Sequence, residues 1–318
     1  MGIPGESLVV SGPGMVVMAR AASKLTLDLR VLSRRADGFH ELEALVVSIN
    51  EPHDSIEIQL ADGGRGVRLV VENLGSTGQA STEGGRVPTG AANLAVRAAD
   101  MLLRHMDARD VGVELVLRKG IPVGGGLGGG SADAAAALVG LRRLLGADAE
   151  VDDTTLMKLG AQIGSDVPFC VRGGAAWMRG RGELLEPLDP LGDIPVLVVA
   201  PPFRLATSEV YAAWDRLGGP RSNRALDPPP AMAGLIGELV NDLEPAAEAI
   251  EPRLRGFREA IEGALGTPAV LAGSGASYVV LPEAGTDLSA AAARVRAALP
   301  EAAVWCARAV DSGVSLGS

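Results

Sequence analysis

Cysteine and histidine are scarce, with two and three copies in 318 residues. Cys170 and Cys306 are too few and too far apart for a disulfide framework or a Cys-x-x-Cys metal site, which suits a reducing cytoplasm. His40, His53 and His105 show no ligand-like spacing, so a zinc site built from side chains is not expected, and any metal should arrive with a phosphate ligand. No apolar run approaches the ~18 residues needed to cross a bilayer, and the opening Met1-Gly-Ile-Pro-Gly-Glu-Ser7 lacks the basic head of a secretory signal. A cytoplasmic protein with no membrane partner is expected. Basic residues are in the minority, 29 Lys and Arg against 39 Asp and Glu, for a formal net charge of -10. Without clustered Lys and Arg there is no counterion release to drive nucleic-acid binding. A small anionic ligand stays possible, because distant surface charges are screened beyond ~10 Å and oriented N–H groups with one or two cations can hold a phosphate.

With 47% hydrophobic and 21% charged residues the composition is that of an ordinary globular protein. Its length suggests about two domains, at roughly 100 to 200 residues each. Period-two patterning predicts strands over 15–32, 43–49 and 55–60, with a turn at Arg35-Ala-Asp37-Gly38. The Gly-, Ser- and Thr-rich stretch 75–90 reads as a mobile loop. A helix is expected over 91–106, a strand over 111–118, helices over 132–145 and 153–163, and a β-rich segment over 169–187. Beyond it come an apolar strand at 195–200, a Pro- and Gly-rich connection at 218–230 and helices near 235–243 and 253–265. A strand-loop-strand over 269–281, a helix over 288–299 and a strand over 302–308 complete the pattern. The expected domains are 15–188 and 189–312, leaving the first 14 residues as a disordered lead.

The strand at 111–118 runs straight into Pro122-Val-Gly124-Gly125-Gly126-Leu127-Gly128-Gly129-Gly130-Ser131, and an alanine-leucine helix follows. Each glycine costs about 0.5–1 kcal/mol relative to alanine, so six in seven positions call for a reason beyond structure. Without Cβ atoms, successive N–H groups can converge on phosphate oxygens, and the next helix contributes its positive N-terminus. Ser131 then stands at the helix entrance, as an N-cap or as a hydroxyl near phosphates and magnesium. A flexible linker would not sit between a clean strand and a long helix. The Walker A pattern fails, because Gly130 stands where its lysine must be. Gly124, Gly126 and Gly129 match Gly-x-Gly-x-x-Gly, but no strand ending in an acidic residue follows about 20 positions on, where Ala147–Asp153 precede a helix.

The tract, with Pro122 at its head and Ser131-Ala-Asp133 at its end, resembles the hallmark of the GHMP kinases. Ala21-Ala-Ser-Lys24-Leu-Thr26-Leu and Arg34-Arg-Ala-Asp37-Gly-Phe39-His40-Glu-Leu look like the first motif of the branch acting on a cytidine-diphosphate-linked polyol. Gly164-Ser-Asp166-Val-Pro-Phe169 fits the same branch, and Leu271-Ala-Gly273-Ser274-Gly275-Ala-Ser277 resembles the family's third motif. The resemblance implies an α+β, two-domain kinase with its site in the cleft between the domains, using ATP and Mg2+ to phosphorylate a small cytidine diphosphate substrate in isoprenoid precursor synthesis.

The resemblance also implies roles for individual residues. Asp166 faces the substrate hydroxyl, and Lys24 pairs with it and with developing phosphoryl charge. Phe39 and His40 grip the cytosine, Tyr211 is the best match for its opposite face, Thr26 and the loop Gly273-Ser274-Gly275 meet the substrate, and Asn93 lies where the family contacts adenine. Phe39 replaces a usual tyrosine and Thr26 a commoner asparagine. An extended Val167-Pro168 would hold the Asp166 carboxylate out into a cleft; read without the family, Asp166 is equally a turn residue, Lys24 a solvated strand lysine, His40 a structural histidine and Asn93 a helix N-cap. The competing functions are another GHMP kinase, of homoserine, sugar or mevalonate type, a dinucleotide-binding oxidoreductase, and a noncatalytic nucleotide sensor.

Overall fold

Two long strands carry the N-terminal half: β1 (Val16–Arg34) and β2 (His40–Leu60), antiparallel from Val16 opposite Gln59 to Arg34 opposite His40. Gly38, at φ 86°, makes the turn between them, a conformation open chiefly to glycine. A computed structural model describes residues 15–73, 87–190, 192, 194–219, 239–283 and 285–317. The first 14 residues, most of the stretch 75–90 and most of the connection 218–230 lie outside the described residues.

Where the sequence predicts two strands, 43–49 and 55–60, the chain forms the single strand β2. The register slips where Ala22 faces His53 and Ser23 faces Ile49, so residues 50–52 bulge from the ladder. Pro52 sits in that bulge, where its missing N–H costs no ladder bond. β2 continues the sheet through β4 (Gly112–Lys119) on one half and β5 (Ala175–Gly180) on the other. β3 (Gly66–Asn73) runs parallel to β4, and β6 (Leu184–Pro187) pairs with β5.

Helices α1 (Leu94–His105), α2 (Gly129–Leu144), α3 (Asp153–Ala161) and α4 (Val167–Arg172) pack together, with α2 lying on β1 and β2. Alanines 132 and 134–137, all fully buried, let α2 come close, and at Gly140 Ile58 leaves no room for a Cβ. A helix that apolar all round is a buried one.

In the C-terminal half β7 (Pro195–Ala200) lies between β9 (Tyr278–Val280), which also pairs β8 (Val270–Leu271), and β10 (Ala303–Val310). Around this sheet run α5 (Thr207–Arg216), α6 (Glu244–Ile250), α7 (Arg253–Leu265) and α8 (Leu288–Ala298). β10 also reaches β2 through Ala309 and Val310, and β11 (Val314–Gly317) returns to pair with β1. The architecture is α+β, as the resemblance implies, and among the described residues no helix is long and apolar enough to cross a membrane.

Two elements differ from expectation. The segment 169–187 opens as helix α4, because Pro168 in the first turn loses an N–H that has no intrahelical acceptor there, and becomes β only from Ala175. In the expected helix 235–243, the described part, 239–243, is not helical. Asn241 instead bridges to Leu29 of β1, and the helix begins at Glu244 with Pro245 in its first turn.

Candidate active site

The glycine tract is shaped by both halves of the molecule. Gly124, Gly126 and Gly128 take φ of 71°, 77° and 69°, the left-handed region that side chains disfavour. The first half of the tract is closed against the loop after β8: Ala276 and Ser277 donate their N–H groups to the carbonyls of Gly124 and Gly125 at 3.1 and 3.2 Å. At Gly126 the carbonyl of Ala272 fills the space a Cβ would need. Much of the glycine content therefore answers to protein neighbours, while the second half adds a helix start that a ligand can meet.

That second half opens α2. Gly128, left-handed, is the N-cap, and Ala132 N–H donates to its carbonyl at 2.9 Å. The N–H groups of Gly129, Gly130 and Ser131 then have no acceptor within the helix and sit at its positive end, a ready anion site. Ser131 is not the cap, since the glycine's freedom starts the helix earlier; its hydroxyl lies on the cleft wall.

The cleft measures about 780 Å³ and is lined by Lys24, Thr26, Phe39, His40, Pro122, every residue from Gly124 to Ser131, Asp166, Tyr211, Gly273 and Ser274. Lys24, buried on β1, donates its backbone N–H to the Leu127 carbonyl at 3.1 Å and places its Nζ 2.9 Å from Asp166 Oδ2. Asp166 holds φ -85°, ψ -13° at the head of α4, with no side-chain capping bond. The carboxylate is presented by a helix start, not by the extended dipeptide that Val167-Pro168 suggested. Thr26 Oγ1 is buried on the cleft wall with no hydrogen-bond partner in the protein, which leaves it for a ligand's polar group.

At the far end Phe39 is half exposed, with Arg181 Cζ 4.8 Å over its ring, a cation–π contact. His40 is buried; its Nε2 lies 2.9 Å from Asp215 Oδ1, and Tyr211 stacks on its ring at 4.8 Å. One face of Tyr211 is thus turned to His40. Asn93 and Gly275 are placed differently from the rest. Asn93 caps α1, accepting from Ala95 N and donating to the Pro88 carbonyl at 2.8 Å each. Gly275 forms a turn, its N–H 2.9 Å from the Ala272 carbonyl.

Sequence reasoning missed Asp215, Arg34, Arg181 and Thr207 on the cleft wall, and two supports behind it. Beneath the tract Lys119 lies between Asp54 and Asp133, all three buried. Asn241 donates Nδ2 to the carbonyls of Leu271 and Gly273 at 2.7 and 2.6 Å, fixing the loop that bears Ser274. The i, i+3, i+4 spacing of Tyr211, Trp214 and Asp215 was the available signal for a shared helix face. The dinucleotide reading loses its setting, since the parallel unit β3–α1–β4 lies before the tract, α2 is followed by α3, and no described strand after α2 pairs parallel to β4.

Residues 93–174, which include the tract and Asp166, match the GHMP kinases N terminal domain model. The 4-diphosphocytidyl-2-C-methyl-D-erythritol kinase of Pelotomaculum thermopropionicum is 41% identical over 82% of this chain and 87% of its own. That of Moorella thermoacetica is 35% identical over 91% and 98%. A crystal structure of 4-(cytidine 5'-diphospho)-2C-methyl-D-erythritol kinase superposes with a TM-score of 0.70 at 32% identity, covering 95% of this chain and 99% of that one. Homoserine kinase from Cytophaga hutchinsonii, at 18% identity and a TM-score of 0.66, shares the fold. Similarity of this extent across nearly whole chains means that the protein belongs to the GHMP kinases, in the family of the 4-diphosphocytidyl-2-C-methyl-D-erythritol kinases.

Proposed function

We propose that the protein transfers the γ-phosphate of ATP to the 2-hydroxyl of 4-diphosphocytidyl-2-C-methyl-D-erythritol, giving the 2-phosphate and ADP, a cytoplasmic step of isoprenoid precursor synthesis by the non-mevalonate route. The observation that carries this reading is the Lys24–Asp166 pair, 2.9 Å apart, sharing one cleft with the open N–H groups of α2. Phosphoryl transfer draws mostly on positioning and charge stabilisation, and this cleft has the parts for both. The helix start receives the triphosphate, Asp166 accepts a hydrogen bond from the acceptor hydroxyl, and Lys24 balances charge on the transferring group. Thr26 Oγ1 is free to bond the polyol, and Phe39 with His40 meets the base. The halves 15–188 and 189–312 serve as the ATP-binding and C-terminal parts.

Among the described residues no three His, Cys, Asp or Glu side chains converge on a metal site. Asp166 and Ser131 line the cleft together with the cradle and would hold Mg2+, which keeps several waters and binds through one or two carboxylates and substrate phosphates. When bound, the ion neutralises phosphate charge.

ADP release with magnesium-ATP, measured against a panel of the cytidylyl diphosphate, homoserine, galactose and mevalonate, tests the assignment. Turnover confined to the cytidylyl substrate is expected. Turnover with one of the other alcohols in its place would move the protein to a different kinase activity.

A further inference from the structure

His40 sits in a socket made by one face of α5. Tyr211 stacks on its ring, Trp214 meets it edge-on at 5.5 Å and 88°, and Asp215 Oδ1 lies 2.9 Å from Nε2. The other oxygen of that carboxylate faces Arg34 Nη1 at 3.6 Å. An ionised carboxylate can only accept, so the proton between the two belongs to Nε2. In a neutral imidazole Nδ1 is then left with a lone pair and no proton. We propose that Asp215 is the positioning residue of the base-recognition end, locking His40 in the Nε2–H tautomer so that Nδ1 is a hydrogen-bond acceptor. An acceptor there suits a nucleobase that offers an exocyclic amino group. This deepens the substrate reading above and rests on it for the identity of the base, although the tautomer itself does not.

Nitrogen-15 NMR of the imidazoles in the intact enzyme, recorded above pH 8, tests the lock directly. With three histidines in the chain, the His40 signals are assigned by their absence in His40→Gln. The Nε2–H form is expected in the wild type and a mixture of forms in Asp215→Ala. Asp215→Asn keeps the side-chain shape yet can donate to Nε2, so it should move the proton to Nδ1. In kinetics both variants should raise the KM for the cytidylyl substrate by about tenfold, the scale of one lost hydrogen bond, with kcat and the KM for ATP little changed. An Nδ1–H form in the wild type, or His40 signals unmoved by both substitutions, overturns the proposal. So does a parallel loss of kcat and ATP affinity, which marks a merely structural residue. A wild-type enzyme that ignores the cytidylyl substrate while keeping the Nε2–H form would defeat the substrate reading and leave the tautomer lock standing.

Discussion

Lys119 Nζ lies 2.8 Å from Asp133 Oδ2, tying the end of β4 to the second turn of α2 directly beneath the glycine tract. Asp54 completes the support, since its Oδ1 accepts from the N–H groups of Gly120 and Ile121 at 2.7 and 2.9 Å while its other oxygen meets Lys119. Burial, with Asp54 beside it, pushes the Asp133 carboxyl well above the usual range. Lys119 is raised despite burial, because the two carboxylates outweigh it. Removing the one cation strands two buried acids, so Lys119→Ala should destabilise by about 3–5 kcal/mol in urea unfolding. Asp133→Asn keeps an acceptor for Lys119 and removes the like charge, and is expected to stay within about 1 kcal/mol of the wild type.

Gly126 and Gly130 should separate the two duties of the tract. Gly126→Ala meets the Ala272 carbonyl at a left-handed φ, so it should cost at least about 2 kcal/mol and lower the melting temperature. At Gly130 the nearest atom to an added Cβ is Leu94 Cδ1 at 3.5 Å, an ordinary contact. Gly130→Ala should leave the melting temperature unchanged or raised, as alanine favours helix, and weaken ATP binding. Paired thermal melts and ATP titrations decide both.

Asp166→Ala should slow turnover severely without unfolding the protein. The carboxylate is 32% exposed to the cleft while Lys24 is buried, so leaving that ammonium without its partner should cost about 1–3 kcal/mol, less than a domain's whole stability. Loss of a positioned charge at the reacting group should instead lower kcat by roughly 10²–10⁴. Single-turnover ADP release beside a melting curve distinguishes the two effects.

Glu244 gives stability a pH dependence. Burial pushes its carboxyl up to about 7 from 4.5, against the pulls of the Leu271 N–H and of Arg258 at 3.0 Å. A carboxyl raised in the fold binds its proton more tightly folded than unfolded. Its contribution is therefore full below about pH 4.5 and is lost as pH rises through about 7, a change on the order of 3 kcal/mol. Glu244→Gln should flatten that part of the profile, so the difference in melting temperature between variant and wild type should grow from pH 5 to pH 8.

Legibility from sequence followed the range of the forces involved. α7 matches its expected bounds, and β4, α2 and α8 fall within a few residues of theirs, because period and glycine stops are local signals. β11 was invisible, since a four-residue strand is defined by the partner it finds on β1. Lys24 and Asp166 needed a family likeness to be singled out, for nothing local distinguishes a paired strand lysine from a solvated one. Lys119 carried no signal at all: its two partners come from β2 and α2, and only the packed sheet brings them to one ammonium. Asn241 falls inside an expected helix because its role lies in the carbonyls of Leu271 and Gly273, far along the chain.

The pairing of β11 with β1, and of β10 with β2, also bears on how the chain reaches this state. β1 leaves the ribosome early, and the outer edge of its Met18–Ala21 stretch stays unpaired until residues 314–317 have followed. Contacts this distant in sequence slow folding, and until they form the nascent protein carries an unprotected strand edge open to association with other chains. A fragment stopping after β6 would keep that edge permanently.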